Sequence, residues 1–492
     1  MSLEAQSRAL LAELSVPKLV SDTFLALFNF VDQKGVLYQW LELDRTENLL
    51  KGPAFRARAS LVRSTLRNGI TNNTPLTDLA DLLQVRDPLQ RSISTGVVTA
   101  EDSLCIVVAL RLVDDAYRGL HPGEVGDVAD GIAFAALRTK LRLGLPIFET
   151  ADAKVYPRPR RIGAAPFERG QSNANELLSH LCVIRPSKHV DFEYLVNLST
   201  RAMGGAGFGT IGVIPVIAAS NELHWGLEGD DHYSVREMAA LRGTIEARVK
   251  HALIELCNAK ADLIVLPELV SGTGLFAFLQ TELQKLALAG SHTPTILFAG
   301  TQLVSDGTAH FNRGHVLDWE GEPVWSQDKL HAFLFLAKDQ KACGSPLGTT
   351  DYCDRLELLT PPQKIRIVDV SPSHRLTVLI CEDFIQDRPH RDAVVDFRVT
   401  TIIAPVMMAS RNYDPKLGKH EPGWVKDAGV RYANHPGASS VVSNSGALLT
   451  SHQDMWFAYT DYFTNPPASA TWEAIVMPSE RWPVAWVAKV PR

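Results

Sequence analysis

Three reactive side chains in the second half of the chain each follow a segment that is typical of a buried strand. Glu268 follows DLIVLP, Lys329 follows HVLDWEGEPVWSQD, and Cys381 follows LTVLI. A cysteine thiolate is a strong nucleophile, a half-buried carboxylate has a raised pKa that suits a general base, and an ammonium group stabilises an oxyanion. In one cavity, these three groups could carry out acyl transfer through a thioester on the sulfur.

Each of these residues alone is a weak signal. A lone cysteine after an apolar strand is most often inert core, and a lone glutamate or lysine at such a place is most often a cap or a solvated loop end. The backbone N–H of Glu382, directly after the cysteine, is a candidate second oxyanion donor. His331 is either a substrate-pocket residue or a simple loop histidine. No histidines or cysteines have metal-site spacing, and we expect no metal and no cofactor.

An alternation of strand and helix patterns from residue 205 to residue 492 would position these side chains. Buried strands are predicted over IGVIPVIAA, DLIVLPEL, TILFAGTQ, KIRIVDV, LTVLI, TTIIAPV and ASSVVSN. Helical patterns lie between several of these strands, which indicates a layered α/β domain. In such domains chemistry collects at the strand ends, where loops meet a rigid scaffold.

Two local patterns in this region predict particular elements. In SVREMAALRGTIEARVKHALIELCNAKA, apolar residues recur at helical spacing, and Ser234 with Glu237 would form a capping box at the start of the helix. HVLDWEGEPVWSQDK predicts a β-hairpin that turns at Gly321.

A glycine-rich stretch, GGAGFGTIG, contains Gly207, Gly209 and Gly212 at the spacing of a dinucleotide-binding fingerprint. That fingerprint must follow a strand and open a helix, because the helix N-terminus holds the pyrophosphate. Here the glycines open an apolar strand. We therefore predict a flexible junction and no nucleotide.

Residues 1–190 are predicted to form a mostly helical accessory domain. Apolar residues recur at helical spacing in LVSDTFLALFNFV and in SLCIVVALRLVDDAY. A basic linker near residues 155–175, YPRPRRIGAAPFERGQSNAN, is rich in Pro, Arg, Gly and Asn. This region has no catalytic pattern, and an accessory or partner-binding role is the simplest interpretation.

The composition limits the class of protein. With 492 residues, 46% hydrophobic and 21% charged, the chain is typical of a globular protein with two or three domains. A net charge of -6 argues against a basic nucleic-acid binder. The six cysteines form no CxxC pair, which favours a reducing compartment. The N-terminus does not resemble a signal peptide and no apolar run could span a bilayer, so we expect a cytoplasmic protein with no membrane partner.

The chain order Glu, Lys, Cys, within the segments ADLIVLPEL, FNRGHVLDWEGEPVWSQDKLH and LTVLICEDF, resembles the carbon–nitrogen hydrolase (nitrilase) superfamily. The later segment AGVRYANHPGASSVVSNSG is similar to a further signature of that superfamily, and the resemblance spans roughly residues 208–460. It implies a four-layer α-β-β-α sandwich, with Glu268 as base, Lys329 as cation and Cys381 as nucleophile.

The resemblance also implies roles for neighbouring residues. Asp383 would hold the local backbone, and Asn312 would open the hairpin that leads to the lysine. Asn444 is, with His331, a candidate for the substrate pocket. The polar and glycine positions that match the later signature are Arg431, Asn434, Asn444 and Gly446.

The sequence departs from the superfamily pattern after Lys329. Many members carry a second catalytic glutamate shortly after the lysine, whereas LHAFLFLAKDQKACGSP contains none. Asp339 or the later Glu357 could fill that place, and the sequence does not decide between them.

Two functional hypotheses follow. The first is a hydrolase that cleaves the carbon–nitrogen bond of a small-molecule amide, carbamoyl compound or nitrile through a thioester on Cys381, with an amide favoured and a homo-oligomer expected. The second is a sensor or regulatory module of the same fold, in which the helical N-terminal domain binds a protein partner in a signalling or defence role.

Overall fold

The structure is a computed structural model, and the chain divides into two compact units. The first comprises Met1–Pro186 and Asp396–Arg398, and the second comprises Ser187–Val395 and Val399–Arg492. The structure describes residues 2–32, 53–121, 131–159, 174–187, 190–196, 208–217, 220–229, 231–237, 241–342, 347, 352–362, 364–386, 389–407, 439–445, 457–461, 468–469, 472–480 and 483–490. Over these ranges, no helix combines the length and the apolar character needed to cross a bilayer.

The described part of the first unit consists mainly of helices. They are α1 (Leu3–Leu14), α2 (Val20–Val31), α3 (Pro53–Asn72), α4 (Leu79–Leu82), α5 (Arg86–Thr95), α6 (Ala100–Ala116) and α7 (Gly131–Arg142). A small antiparallel sheet has the order β1 (Phe148–Glu149), β2 (Lys154–Pro157) and β3 (Leu181–Ile184). Helices α2 and α6 cover the two apolar patterns noted in the sequence. Most of the predicted linker near residues 155–175 lies outside the described residues.

Two seven-stranded mixed sheets form the frame of the second unit. The first has the order β11 (Pro323–Asp328), β10 (Ala309–Asp318), β9 (Ile296–Asp306), β8 (Leu263–Val265), β5 (Thr210–Val213), β21 (Pro483–Lys489) and β20 (Trp472–Val476). The second has the order β19 (Ala468–Ser469), β18 (Phe457–Asp461), β17 (Ser439–Asn444), β16 (Thr401–Val406), β15 (His374–Val378), β14 (Lys364–Ser371) and β4 (Asp191–Val196). In each sheet the central strands run parallel, so their carboxyl ends meet at one edge.

Two long helices, α8 (Arg242–Asn258) and α9 (Thr273–Leu288), supply apolar side chains to the core beside the first sheet. Helix α8 buries Ile245, Val249 and Leu253 on one face, as the helical spacing predicts. A Cβ at Gly212 of β5 would lie 2.7 Å from the Leu256 side chain, so only glycine lets helix and strand approach this closely.

The predicted start of this helix is wrong. Ser234 and Glu237 lie in strand β7 (His232–Glu237), which forms a hairpin with β6 (Leu223–Glu228). Ser234 Oγ donates a hydrogen bond to Glu228 Oε1 at 2.8 Å instead of capping a helix. Gly229, with φ +71°, supplies the left-handed turn, and cross-strand pairing there outweighs the local capping signal.

The hairpin belongs to a separate four-stranded sheet. Its order is β12 (Leu334–Phe335), β13 (Arg355–Glu357), β7 and β6, and the short helix α10 (Ala337–Ala342) connects β12 to β13. Strands β13 and β7 run parallel, with Glu357 registered against Tyr233. This small sheet thus brings Tyr233 and Glu357, which are far apart in sequence, onto one face.

Other expectations for the second unit meet mixed outcomes. The mixed α/β class is confirmed, and β10 and β11 form the predicted hairpin, with Gly321 at φ +81°. Gly212 lies in a strand, as predicted, whereas Gly207 is outside the described residues. The four-layer order stays a prediction, because residues 408–438, which connect β16 to β17, are also outside them.

The second sheet also buries an ion pair. Asp369 and Arg375 are registered opposite one another on β14 and β15, and both are 0% exposed. Arg375 donates to the two oxygens of Asp369 at 2.6 and 2.9 Å, and the Tyr194 hydroxyl donates to the same carboxylate. This bidentate geometry satisfies both charges.

Candidate active site

Glu268 lies just beyond the carboxyl end of β8 and is 2% exposed. Gly300, at φ +75°, allows this loop to approach β9, because a Cβ there would lie 2.8 Å from the Pro267 carbonyl oxygen. Glu268 Oε1 accepts hydrogen bonds from Lys329 Nζ at 2.7 Å and from Asn312 Nδ2 at 2.9 Å. Its Oε2 accepts one from the Met407 N–H at 3.1 Å.

Lys329 follows the last residue of β11, and its side chain is also fully buried. The backbone N–H of Lys329 donates to the Asn312 carbonyl at 2.9 Å. Its Nζ lies 2.7 Å from Glu268 Oε1 and 2.6 Å from Glu357 Oε2. Burial alone would lower the pKa of Lys329, but the negative charges of the two glutamates outweigh burial and hold that pKa well above its usual value. The lysine is therefore a permanent cation.

Cys381 lies between β15 and the short helix α11 (Glu382–Ile385), at φ +49°, in the left-handed region that is rare for residues other than glycine. Its N–H donates to the Pro405 carbonyl at 2.9 Å, which holds this turn against the end of β16. The charges of Glu268 and Lys329 both act on the side chain. Burial and then the charge of Glu268 raise the pKa of the thiol, and the charge of Lys329 opposes this, so the resting sulfur keeps its proton.

Glu268 has the properties of a proton acceptor. Burial raises its pKa, the charge of Lys329 opposes this, and the charge of Glu357 adds to it. A carboxylate with a raised pKa binds a proton more strongly than an exposed glutamate does and can still release it near neutral pH. The environment therefore suits a group that takes up and returns one proton.

Of the two acidic residues that the sequence left open, Glu357 is the one that contacts Lys329. It lies at the end of β13, where Oε2 accepts hydrogen bonds from Lys329 Nζ at 2.6 Å and from the Phe333 N–H at 3.1 Å. Asp339 lies in the first turn of α10 and forms none of the hydrogen bonds of Lys329. One sequence signal could have decided the matter, since Glu357 is the only glutamate between Lys329 and Cys381.

Asn312 connects the two carboxylates. Its Nδ2 donates to Glu268 Oε1 and to Glu357 Oε1, in both cases at 2.9 Å, and the residue is 0% exposed. A neutral donor between two buried carboxylates lowers their repulsion without adding charge. Asn312 and Lys329 together hold Glu268 and Glu357 in fixed positions.

Asp383 supports the segment that follows the lysine. Its carboxylate accepts hydrogen bonds from the Leu330 N–H at 3.0 and 3.1 Å and from the His331 N–H at 2.9 Å. It also contacts His331 Nδ1 at 2.9 Å. Asp383, two residues after Cys381, thus fixes the backbone that follows Lys329. The His331 ring is directed to Asp383.

The remaining candidates lie around the cluster. Glu382 is the first residue of α11, so its backbone N–H has no carbonyl partner within that helix. Asn444 is fully buried at the end of β17, in register with Val406 and therefore close in the fold to Met407, which binds Glu268. The other positions of the later signature, Arg431, Asn434 and Gly446, lie outside the described residues.

Tyr233 is a neighbour of the cluster that the sequence did not reveal, because β7 was predicted as helix. Its register with Glu357 in parallel strands puts the two side chains on one face. The Tyr233 ring packs against Phe335 and Trp225, with centroids 5.7 and 6.5 Å apart. Burial and then the charge of Glu357 raise the pKa of Tyr233 well above its usual value. Over the described ranges, nothing hydrogen-bonds its hydroxyl.

The cluster therefore combines one ammonium, two carboxylates and one thiol in a buried space. Lys329 Nζ already supplies the cation between the carboxylates. Within the described part of the chain, no set of three or more histidine, cysteine or acidic side chains is arranged to hold a metal ion.

Comparisons with known proteins give matches among solved structures alone. No family model and no curated protein matches the chain. An amidase of the nitrilase superfamily from Nesterenkonia AN1 matches with 11% identity and a TM-score of 0.31, over 57% of this chain and 91% of that one. Nit3 of Saccharomyces cerevisiae, a member of branch 10 of that superfamily, matches with 13% identity and a TM-score of 0.35, over 57% and 89%.

A carbon–nitrogen hydrolase from Helicobacter pylori G27 matches with 12% identity and a TM-score of 0.33, over 58% of this chain and 89% of that one. The superfamily that the sequence motifs resemble is thus also represented among the matching structures. At these identities and TM-scores the matches assign no activity to the chain, so the function has to be argued from the site.

Proposed function

We propose that the chain is a thiol-dependent hydrolase that cleaves a non-peptide carbon–nitrogen bond through a thioester on Cys381. The observation that carries the proposal is the buried carboxylate of Glu268, which accepts a hydrogen bond from the Lys329 ammonium at 2.7 Å and whose charge acts on the Cys381 thiol. A base, a nucleophile and a cation in one buried cluster are the parts that acyl transfer requires.

In the first half of the reaction, Glu268 accepts the thiol proton while the sulfur of Cys381 attacks the carbonyl carbon of the substrate. The carbonyl π electrons move to oxygen, and the resulting oxyanion is stabilised by Lys329 Nζ and by the N–H of Glu382. Collapse of the oxyanion restores the C=O bond and breaks the C–N bond. Glu268 gives its proton to the nitrogen, which leaves as ammonia or an amine.

In the second half, Glu268 takes a proton from a water molecule whose oxygen attacks the thioester carbon. Collapse of this second oxyanion breaks the C–S bond and releases a carboxylic acid. The sulfur recovers a proton from Glu268, and the resting state is restored. Glu268 thus acts as a base and then as an acid in each half of the reaction, which suits a carboxylate whose pKa is raised by burial.

Glu357 has a positioning role in this scheme. It holds Lys329 Nζ at 2.6 Å, and it balances part of the positive charge that an oxyanion would otherwise have to neutralise alone. Asn312 fixes both glutamates, and Asp383 fixes the backbone that follows Lys329. A carboxylate in the place of the second family glutamate supports a hydrolase over the sensor alternative, because its apparent absence from the sequence was a main reason for that alternative.

We favour an amide or carbamoyl group as the substrate over a nitrile, as the sequence resemblance implies. Cytoplasmic localisation, a homo-oligomer and a protein partner for residues 1–190 stay predictions. Hydrolysis of a nitrile differs from hydrolysis of an amide in the first half of the reaction. A nitrile forms a thioimidate, which must take up one water molecule before ammonia leaves and the thioester forms, and a second water then hydrolyses the thioester.

The test is release of ammonia from a panel of small primary amides, N-carbamoyl compounds and nitriles by the full chain and by Cys381→Ala. We expect turnover of at least one amide or carbamoyl compound, and a loss of about five to six orders of magnitude in Cys381→Ala. Cys257, another buried cysteine, which lies in α8, provides the matched control.

Cys257→Ala should keep the activity of the parent chain. Circular dichroism spectra of both variants establish that they are folded. Turnover in Cys381→Ala at the rate of the parent chain would exclude the thioester mechanism, and turnover of nitriles alone would overturn the preference for amides.

A further inference from the structure

The first unit contains a cavity of about 410 Å³ that plays no part in the proposed reaction. Cavities of this size hold small molecules. Its walls come from five segments, which are the start of α2, the end of α3, Tyr117 just after α6, helix α7, and Ile147 with the first residue of β1. Most of these residues are apolar. The lining residues are Leu19, Val20, Ser21, Gly69, Ile70, Asn73, Tyr117, Ala136, Leu137, Lys140, Ile147 and Phe148.

The first turn of α2 borders the cavity with free hydrogen-bond donors. Leu19 occupies the N-cap position, and no side chain caps the helix. The N–H groups of Val20 and Ser21 have no hydrogen-bond partner in the described part of the unit. The positive end of a twelve-residue helix therefore faces a space that an anion could enter.

A buried hydroxyl gives an independent indication of a ligand. Tyr117 lines the same cavity and is only 3% exposed, yet no described group hydrogen-bonds its hydroxyl. Buried hydroxyl groups in folded proteins nearly always have a partner. Burial raises the pKa of Tyr117, so the phenol is a neutral donor. A ligand atom that accepts a hydrogen bond would satisfy it.

Lys140 adds a positive charge at the rim. It lies in the last turn of α7, is exposed, and forms no ion pair with the described residues. Asp22, in the first turn of α2, is the acidic residue whose charge acts on Tyr117, but it is exposed to water and does not line the cavity. No acidic residue is among the described residues that line the cavity. Its polar border consists of the free N–H groups of α2, the Ser21 and Tyr117 hydroxyls, the exposed Asn73 amide, which can donate or accept, and the Lys140 ammonium.

We propose that this cavity binds a small monocarboxylic acid with an apolar tail. The carboxylate meets the first turn of α2, the Tyr117 hydroxyl and the Lys140 ammonium, and the tail packs on Leu137, Ile147 and Phe148. A phosphate or a dianion fits less well, because the apolar walls could not replace its hydration. The proposal is independent of the proposed hydrolase activity, since no residue of the cavity belongs to the catalytic cluster.

The experiment is isothermal titration calorimetry of the full chain with octanoate and with 1-octanol, which has the same tail without the charge. We expect saturable binding of octanoate at a single site per chain, and at least tenfold weaker binding of octanol, because hydrogen bonds to a charged group are the stronger ones. Equal binding of the two compounds, or no saturable binding of octanoate, would overturn the proposal.

Variants locate the site. Tyr117→Phe should weaken octanoate about tenfold by removing one hydrogen bond to the carboxylate. Lys140→Met should weaken it about threefold to fivefold, because the ammonium is exposed and its attraction is screened by water. Arg142→Met, which removes a cation from the same helix end but not from the cavity wall, should leave the affinity unchanged.

Ala136→Phe tests the same site without removing a polar group. Ala136 lines the cavity from an exposed position, so a larger side chain can fill the space without disturbing the core. We expect it to abolish octanoate binding while the circular dichroism spectrum stays that of the parent chain. Undiminished binding in Ala136→Phe, or equal losses in Lys140→Met and Arg142→Met, would show that octanoate binds elsewhere.

Discussion

Two buried charged clusters lie at the opposite ends of β15, and they differ in how completely their charges are matched. At the start of the strand, Arg375 and Asp369 form one bidentate pair, and Tyr194 donates to the same carboxylate. Beyond its end, Lys329 is shared by two carboxylates, and the charge of one of them, Glu268, acts on the Cys381 thiol. The first cluster is saturated, whereas the second has an excess of one negative charge.

This difference separates a structural ion pair from a reactive one. Burial alone does not distinguish them, because both clusters are almost fully buried. In the second cluster, burial and the charge of Glu357 raise the pKa of Glu268, and burial and the charge of Glu268 raise the pKa of the thiol. On the proposed mechanism, such raised pKa values suit a proton that passes between the two groups. A matched pair has no such proton to transfer.

The largest effects are expected from removing the cation of each cluster. Lys329→Met leaves two buried carboxylates facing each other and should lower the free energy of unfolding by about 3–5 kcal/mol, as should Arg375→Met in the other cluster. The two variants should differ in activity. Lys329→Met should have no measurable turnover, whereas the folded fraction of Arg375→Met should keep a kcat close to that of the parent chain.

Denaturant titration followed by steady-state kinetics at a temperature where each variant is folded measures both quantities. The double variant Lys329→Met with Glu357→Gln should be more stable than Lys329→Met alone, because one of the two facing charges is then removed. Loss of catalysis in well-folded Arg375→Met, equal to that in Lys329→Met, would contradict the distinction between the clusters.

A smaller effect is expected from Glu357→Gln, which keeps the shape of the side chain and removes its charge. Because Lys329 loses a partner that positions it, kcat should fall about a hundredfold. The charge of Glu357 raises the pKa of Glu268, so its removal should shift the acid limb of the kcat/KM profile to lower pH.

The sign follows from the role of Glu268, which must be deprotonated to act as a base. In the parent chain its raised pKa places the acid limb above the value of about 4.3 for an exposed glutamate. Glu320→Gln, a change at an exposed residue of the β10–β11 turn, is the control and should leave the profile unmoved. An acid limb that moves to higher pH in Glu357→Gln would contradict the account.

The smallest effect is expected from Tyr233→Phe, because only a hydroxyl that no described group hydrogen-bonds is lost. If that hydroxyl binds substrate beside Glu357, kcat/KM should fall about threefold to tenfold, with the free energy of unfolding unchanged. Tyr194→Phe is the counterpart in the matched cluster, where the hydroxyl is already bonded to Asp369. Tyr194→Phe should lower the free energy of unfolding and leave kcat/KM unaltered. A loss of kcat/KM in Tyr194→Phe, together with a loss of stability alone in Tyr233→Phe, would contradict the distinction between the two clusters.

The sequence identified those site residues that follow a strong local pattern. Glu268 and Cys381 each come after an apolar strand, and Lys329 comes after the second strand of a predicted hairpin, so all three stand at strand ends, where loops meet a rigid scaffold. Glu357 and Tyr233 could not be predicted to meet, because their contact depends on the register of β13 against β7, two strands more than a hundred positions apart.

Many strands and one turn of the second unit could also be predicted, because their sequence signals are local. Long apolar runs and the hairpin at Gly321 are local signals, and the strands and turn that they predict are present. The helix predicted from Ser234 failed at its start, since the capping pattern there competes with a hairpin whose stability comes from cross-strand pairs and from the aromatic contacts of Trp225 and Tyr233. The cavity beside Tyr117 has no sequence signature, because its walls come from five separate segments.

The most direct test of the central claim is the mass of the protein during turnover. The full chain is mixed with a substrate amide, quenched in acid within the first turnovers, and analysed as intact protein and as peptides. The account predicts a mass gain equal to the acyl group on the peptide that contains Cys381, and no gain in Cys381→Ala. Turnover with an unmodified Cys381 peptide at every quench time, or an acyl group carried by another residue, would contradict it.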